Sequence, residues 1–222
     1  MHIVGVFVTV FLCCIVNIVC FKKRKIGKKW KEISINNVML LNKKEWFCFF
    51  VMMAVTECCG AILVIYHHNS FVQDFRRICL LCLLWPIAWN DYKEQIIPNL
   101  FLKIGCYYWV IWILISLFTD RNGLLMEIIR SLFAVFMITI ICIICTLIIK
   151  NCMGMGDIKL LMVMGLLQGT TGLISAVTVS LFLSFFVCLF YLISKKKGRK
   201  DSIAFAPLIL IGTTISILLK GV

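Results

Sequence analysis

The chain has 222 residues, of which 62% are hydrophobic, with a formal net charge of +13 and a mean hydropathy of +1.03. A soluble domain of this size cannot bury so much apolar surface, so the lipid bilayer must solvate it, and the lack of a Ser/Gly/Pro-rich linker points to one integral membrane domain over 1–222. The charge does not indicate nucleic acid, because seventeen of the 23 Lys/Arg fall in 22–45, 91–97, 150–159 and 195–200, the loop clustering that membrane proteins show on their cytoplasmic side.

The apolar stretch 3–21 lacks a basic start and a small-residue cleavage site and runs into basic sequence, which fits a retained first span better than a signal peptide. The block 22–45 then carries nine Lys/Arg as a basic cytoplasmic loop, and 46–66 is the second span. His67 and His68 fall in an outer loop and are expected to be solvated. The third apolar segment, 78–89, is short and contains Pro86; WNDYKEQIIPN (89–99) follows it, and Pro98 opens the span 98–118. Another long segment, 124–149, leads into NCMGMGDIKLL (151–161).

From 158 to 194 the chain is apolar again. One helix of that length would reach ~55 Å, well beyond a hydrocarbon core of ~30 Å. QGTTG (168–172) offers a turn that divides it into a short span, 158–168, and a longer one, 172–194. KKKGRK (195–200) and a last span over 203–219 complete the chain. The expected fold is an all-α polytopic membrane protein with about eight transmembrane helices, two of them short, and both the N-terminus and the C-terminus outside. All four basic segments then share the cytoplasmic face, whereas fusing 158–194 would send KKKGRK outside. Arg76, Arg77, Arg121 and Lys220 form an outer minority.

Thirteen cysteines suggest a disulfide or metal framework until they are located. Nearly all lie in apolar runs, including the C-x-x-C pairs Cys79/Cys82 and Cys142/Cys145, where cysteine behaves as a small hydrophobe. No metal and no cofactor are expected. The ionisable residues at membrane depth need a reason of their own, since placing them there costs free energy.

Asp91 and Asp157 both fall at the cytoplasmic boundary in this topology, each beside one of the two shortest spans. Short spans of this kind end within the protein's thickness and border a wet cavity. Two carboxylates that approach closely hold one proton between them. The ionised partner can draw a proton from water while the other activates an amide carbonyl. Taken singly, each residue has a plainer reading. Asp157 could cap the following helix, and Asp91 could be a solvated loop charge. Gly154 and Gly156 could terminate a helix, and Lys159 could snorkel to the boundary or tune Asp157.

Together, Asp91 with Pro98 in DYKEQIIPN and the GMGDIKLL stretch resemble the two aspartate motifs of the type IV prepilin peptidases, and FAPLILIG (205–212) is similar to the start of that family's last span. The resemblance implies a membrane-embedded aspartic endopeptidase of the bacterial cytoplasmic membrane, multi-pass, with its site facing the cytoplasm. It implies prepilins or pseudopilins as substrates, each a basic leader followed by an apolar helix. Asp91 and Asp157 would be catalytic, with Gly154, Gly156, Lys159 and Pro98 as supporting positions. Many members carry a zinc-binding domain between the first two spans and also N-methylate the trimmed pilin. The corresponding interval here, 22–45, has no cysteine, so a short form without zinc or methyltransferase activity is expected. A transporter that binds cations or relays protons through the same carboxylates is the competing reading, followed by an inactive membrane scaffold.

Overall fold

A computed structural model describes residues 71–119, 121–149, 153–193 and 204–220, with scattered positions between 15 and 62. The expected spans 3–21 and 46–66, the loop 22–45, His67, His68 and KKKGRK lie outside the described residues, apart from those positions. The described residues form five helices and no strand: α1 (Phe71–Glu94), α2 (Asn99–Thr119), α3 (Arg121–Ile148), α4 (Met155–Ile193) and α5 (Ala206–Lys220). Three stretches, Asn99–Phe118, Gly123–Ile148 and Met155–Tyr191, are long and apolar enough to cross a membrane. Helices suit this composition because each satisfies its own backbone polar groups, which lipid cannot do.

The central element is α1. Every residue from Ile78 to Leu84 is fully buried, because α2, α4 and α5 all pack around the helix. Its first turns extend beyond the expected 78–89 and take in Asp74, Arg76 and Arg77. These charges are held by partners: Arg77 donates to Asp74 at 3.4 Å, and Arg76 donates to Glu127 of α3 at 3.0 Å. Glu127 also accepts from Arg130 at 3.3 Å. The outward faces of α3 and α4 expose Phe133, Phe136, Leu147, Phe182, Phe185 and Phe190, a surface matched to lipid tails.

The 39-residue α4 is not one rod. Gly169 interrupts it with φ 68° and ψ −171°, inside the QGTTG stretch. The Leu173 side chain lies 3.4 Å from where a Cβ on Gly165 would stand. Eight residues of continuous helix rise ~12 Å, which excludes such a contact. The chain therefore folds back at Gly169, and 155–168 and 170–193 run in opposite directions. A positive φ of this size suits glycine, which has no Cβ to collide with the backbone.

Small residues let these helices touch. A Cβ on Gly105 of α2 would overlap the side chain of Val163, and one on Gly165 would lie 3.3 Å from the backbone nitrogen of Val135. Gly212 of α5 is the tightest case, because its Cβ would meet Ser180 N at 2.8 Å and Ala176 O at 2.9 Å. Backbone atoms on a packed helix cannot step aside. Without a hydrophobic drive between helices in lipid, such close approach supplies much of the association energy. Gly212→Ala is expected to destabilise the fold by about 1–3 kcal/mol, the usual cost of overpacking. Thermal unfolding of purified protein in detergent would register a lower Tm, and an unchanged Tm would contradict this packing.

Candidate active site

Asp91 lies near the C-terminal end of α1 and Asp157 in the first turn of α4. α1 and the first half of α4 run in opposite directions, so both carboxylates come to the same end of the bundle. They are near enough for the Asp91 charge to act on Asp157. Sixty-six residues of sequence separate them.

Asp91 is buried, with 6% of its surface exposed. Its Oδ2 accepts the backbone N–H of Ala206 at 2.9 Å, and the N–H of Phe205 also donates to the carboxylate. Ala206 opens α5, and Phe205 immediately precedes it. The carbonyl of Phe205 accepts from Leu208 N and Ile209 N, each at 3.0 Å. Pro207, between them, has no N–H to satisfy. The sequence FAPL thus leaves the Ala206 N–H free for a carboxylate, at the positive end of the helix dipole. Beside Asp91, the buried Asn90 donates from Nδ2 to the Pro86 carbonyl at 2.7 Å. Pro86 lies inside the same helix and, having no N–H, donates nothing to the backbone ladder there.

The turn after Asp91 is sharp. Gln95 has a φ of 52°, and its N–H donates to the Asp91 carbonyl at 2.9 Å. This is the αL cap that commonly ends a helix, here without the usual glycine. Pro98 sits just before α2, not at its first position, and its carbonyl accepts from Phe101 N at 3.2 Å. The one-residue shift from the sequence expectation arises because Pro98 itself serves as the cap.

Asp157 is not the cap of α4. Gly154 occupies that place, its carbonyl accepting from Asp157 N at 3.0 Å and Ile158 N at 3.3 Å. The Asp157 carboxylate reaches back to the Gly154 N–H, as an acidic residue at the third helical position does in a capping box. A Cβ on Gly154 would lie 3.1 Å from Asp157 Oδ2, so any side chain there would press on the carboxylate. Gly156 has a different task. Its Cβ would lie 3.1 Å from the Cβ of Ile97, so the turn after Asp91 rests directly on the turn before Asp157. Lys159 is exposed, and its Nζ is 3.5 Å from Asn99 Oδ1. It points toward the Asp91 segment and adds a weak tie between the two stretches.

All six expected positions therefore gather at one end of the bundle. Sequence reading assigned no task to Phe205 and Ala206, although FAPLILIG drew notice as a motif. Their contribution is made by backbone N–H groups, which side-chain chemistry does not reveal. The C-x-x-C pairs lie elsewhere. Cys79 and Cys82 belong to the buried face of α1, Cys142 is buried on α3, and Cys145 is exposed. Among the described residues, no three His, Cys, Asp or Glu side chains cluster as metal ligands would.

Residues 78–193 match the type IV leader peptidase family, and the chain belongs to that family. The match spans Asp91, Pro98, Gly154, Gly156, Asp157 and Lys159. No curated protein and no solved structure matches the chain significantly. Family membership makes it a membrane peptidase of the leader-processing class, whose substrates are in general of the prepilin type, and gives transport no support.

The contact of Gly156 with Ile97 generates a test. Gly156→Val should force the two turns apart while leaving α4 helical. Cleavage of a leader-bearing substrate is expected to fall about 100-fold, since misplacing a reacting group by ~1 Å has that effect. Wild-type cleavage by a folded Gly156→Val protein would contradict the arrangement.

Proposed function

We propose that the protein is an aspartic endopeptidase that removes the basic leader of a prepilin or pseudopilin at the cytoplasmic membrane boundary. The observation that carries this is the convergence of Asp91 and Asp157, one buried against the start of α5 and the other half-buried on the cap of α4. Family membership supports the reaction class.

In this mechanism a water lies between the two carboxylates, which hold one proton. The ionised carboxylate takes a proton from the water as its oxygen attacks the scissile carbonyl. The other carboxylic acid donates its proton to the carbonyl oxygen, giving a neutral tetrahedral diol. Collapse of that diol returns a proton to the leaving amine and breaks the C–N bond. Proton transfers are shared by the pair, so their titration belongs to both groups together. The N–H groups of Ala206 and Phe205 hold Asp91 in place throughout. The chemistry uses neither a metal nor a covalent intermediate. The interval 22–45 carries no cysteine, so the proposal covers hydrolysis and not N-methylation.

The surroundings fit a substrate with an apolar helix. Tyr92 is 73% exposed, Ile96 57% and Met155 70%, all within a few residues of the aspartates. Such a rim can receive the first turns of a membrane-embedded helix while the basic leader stays in water. The proposed topology has eight spans with both termini outside. The reversal at Gly169 supports it, because 155–168 and 170–193 then count as two crossings.

Co-expression with a pilin precursor should shorten that precursor. Asp91→Asn and Asp157→Asn should each abolish the shortening, with both proteins still in the membrane fraction. Cleavage that survives either change would show that the wrong groups have been named. Replacing 22–45 by a neutral linker should disturb orientation more than catalysis. A variant that inserts correctly and yet loses all cleavage would make that segment part of the site.

A further inference from the structure

The opposite end of the bundle holds a second polar centre. Arg76 and Asp91 are fifteen residues apart on α1, which is ~22 Å along a helix. Around Arg76 lies a cavity of about 360 Å³, lined by Arg77, Glu127, Arg130, Gln168 and Thr170 among others. It opens where α4 folds back, and Gly169, Thr170 and Thr171, at the start of the second half-helix, belong to its lining. That half-helix start would carry no argument alone.

Two buried side chains in the lining do. Gln168 is 5% exposed, and both its Oε1 and Nε2 lack any hydrogen-bond partner. Arg76 is 6% exposed, and its Nε and Nη1 are likewise unpartnered. Its Nη2 is bound to Glu127 at 3.0 Å, and its plane stacks over Trp112 at 4.6 Å. The guanidinium is therefore fixed in orientation with donors to spare. Buried polar groups are nearly always satisfied, so this cluster of orphans marks a place for something else.

The charge balance indicates what. Among the described residues, Arg76, Arg77 and Arg130 line the cavity against one lining carboxylate, Glu127; adding Asp74, which binds Arg77, still leaves one positive charge in excess. A singly charged anion would neutralise it. The orphaned Gln168 Oε1 also calls for a donor on the same ligand. A phosphodiester bearing a hydroxyl group supplies both, and guanidinium groups pair well with phosphate oxygens. The cavity lies in a bundle whose outward faces are apolar, so the surrounding bilayer is a ready source of such a phosphodiester.

We propose that this cavity is a binding site for the headgroup of an anionic glycerophospholipid, seated between the starts of α1 and α3 and the turn of α4. The site is independent of the peptidase reading. Its test is thermal unfolding of the purified full-length protein in a neutral detergent with short-chain probes. Dihexanoyl phosphatidylglycerol should raise Tm saturably, whereas dihexanoyl phosphatidylcholine, with no net charge and no donor, should not. Gln168→Leu removes the orphaned amide and is expected to keep the unliganded protein folded, while weakening the lipid about tenfold. Arg130→Gln, at an exposed position, should weaken it similarly. Asp91→Asn should leave the lipid effect unchanged, so failure of the peptidase reading would not touch this one. Inorganic phosphate giving the same variant-sensitive rise at equal concentration would overturn the lipid assignment in favour of a soluble anion. A rise that is equal for phosphatidylcholine, or that survives both Gln168→Leu and Arg130→Gln, would overturn the site.

Discussion

A carboxylate inside an apolar helix bundle must find its partners within the protein, and Asp91 finds them at the first N–H groups of α5. The bond to Ala206, at 2.9 Å, joins residues 115 positions apart. It fixes the end of α1 against the beginning of α5 and sets the depth at which the carboxylate sits. Removing these donors would leave a buried, unsatisfied acid, which costs more than the bond itself contributes. Everything else at this end is built around that fixed point. The αL turn at Gln95 starts from it, Ile97 rests on Gly156, and Gly156 in turn positions Asp157. The two acids are thus held by backbone geometry more than by side-chain neighbours.

Much of the described bundle was legible in the sequence because its periods and lengths are simple. The expected spans 98–118, 124–149 and 203–219 correspond to α2, α3 and α5 within a few residues, as apolar runs bounded by polar ones should. Pro98 lies one residue before α2, where its carbonyl accepts from Phe101 N, and the carbonyl of Gly154 takes the capping role that Asp157 could have filled. Helix ends depend on such details, and hydropathy does not record them.

Less legible was everything that depends on distant partners. The start of α1 looked like an outer loop because Asp74, Arg76 and Arg77 are charged. The helix includes them because Glu127, fifty-one residues beyond Arg76, neutralises a guanidinium that also stacks on Trp112. The anchoring of Asp91 was hidden for a similar reason, since its donors are main-chain groups near the other end of the chain. By contrast, the fold-back at Gly169 could be anticipated from length alone, because an apolar run too long for one crossing must break somewhere. QGTTG holds the glycine that tolerates the required φ.

The central claim is that the side chains at positions 91 and 157 form one hydrolytic centre. An electron cryo-microscopy map of the full chain with an uncleaved substrate peptide tests it most directly. The account predicts the scissile carbonyl seated between the two carboxylates, with one water bridging them. Carboxylates on opposite faces of the bilayer, or too far apart for a single water to touch both, would contradict it.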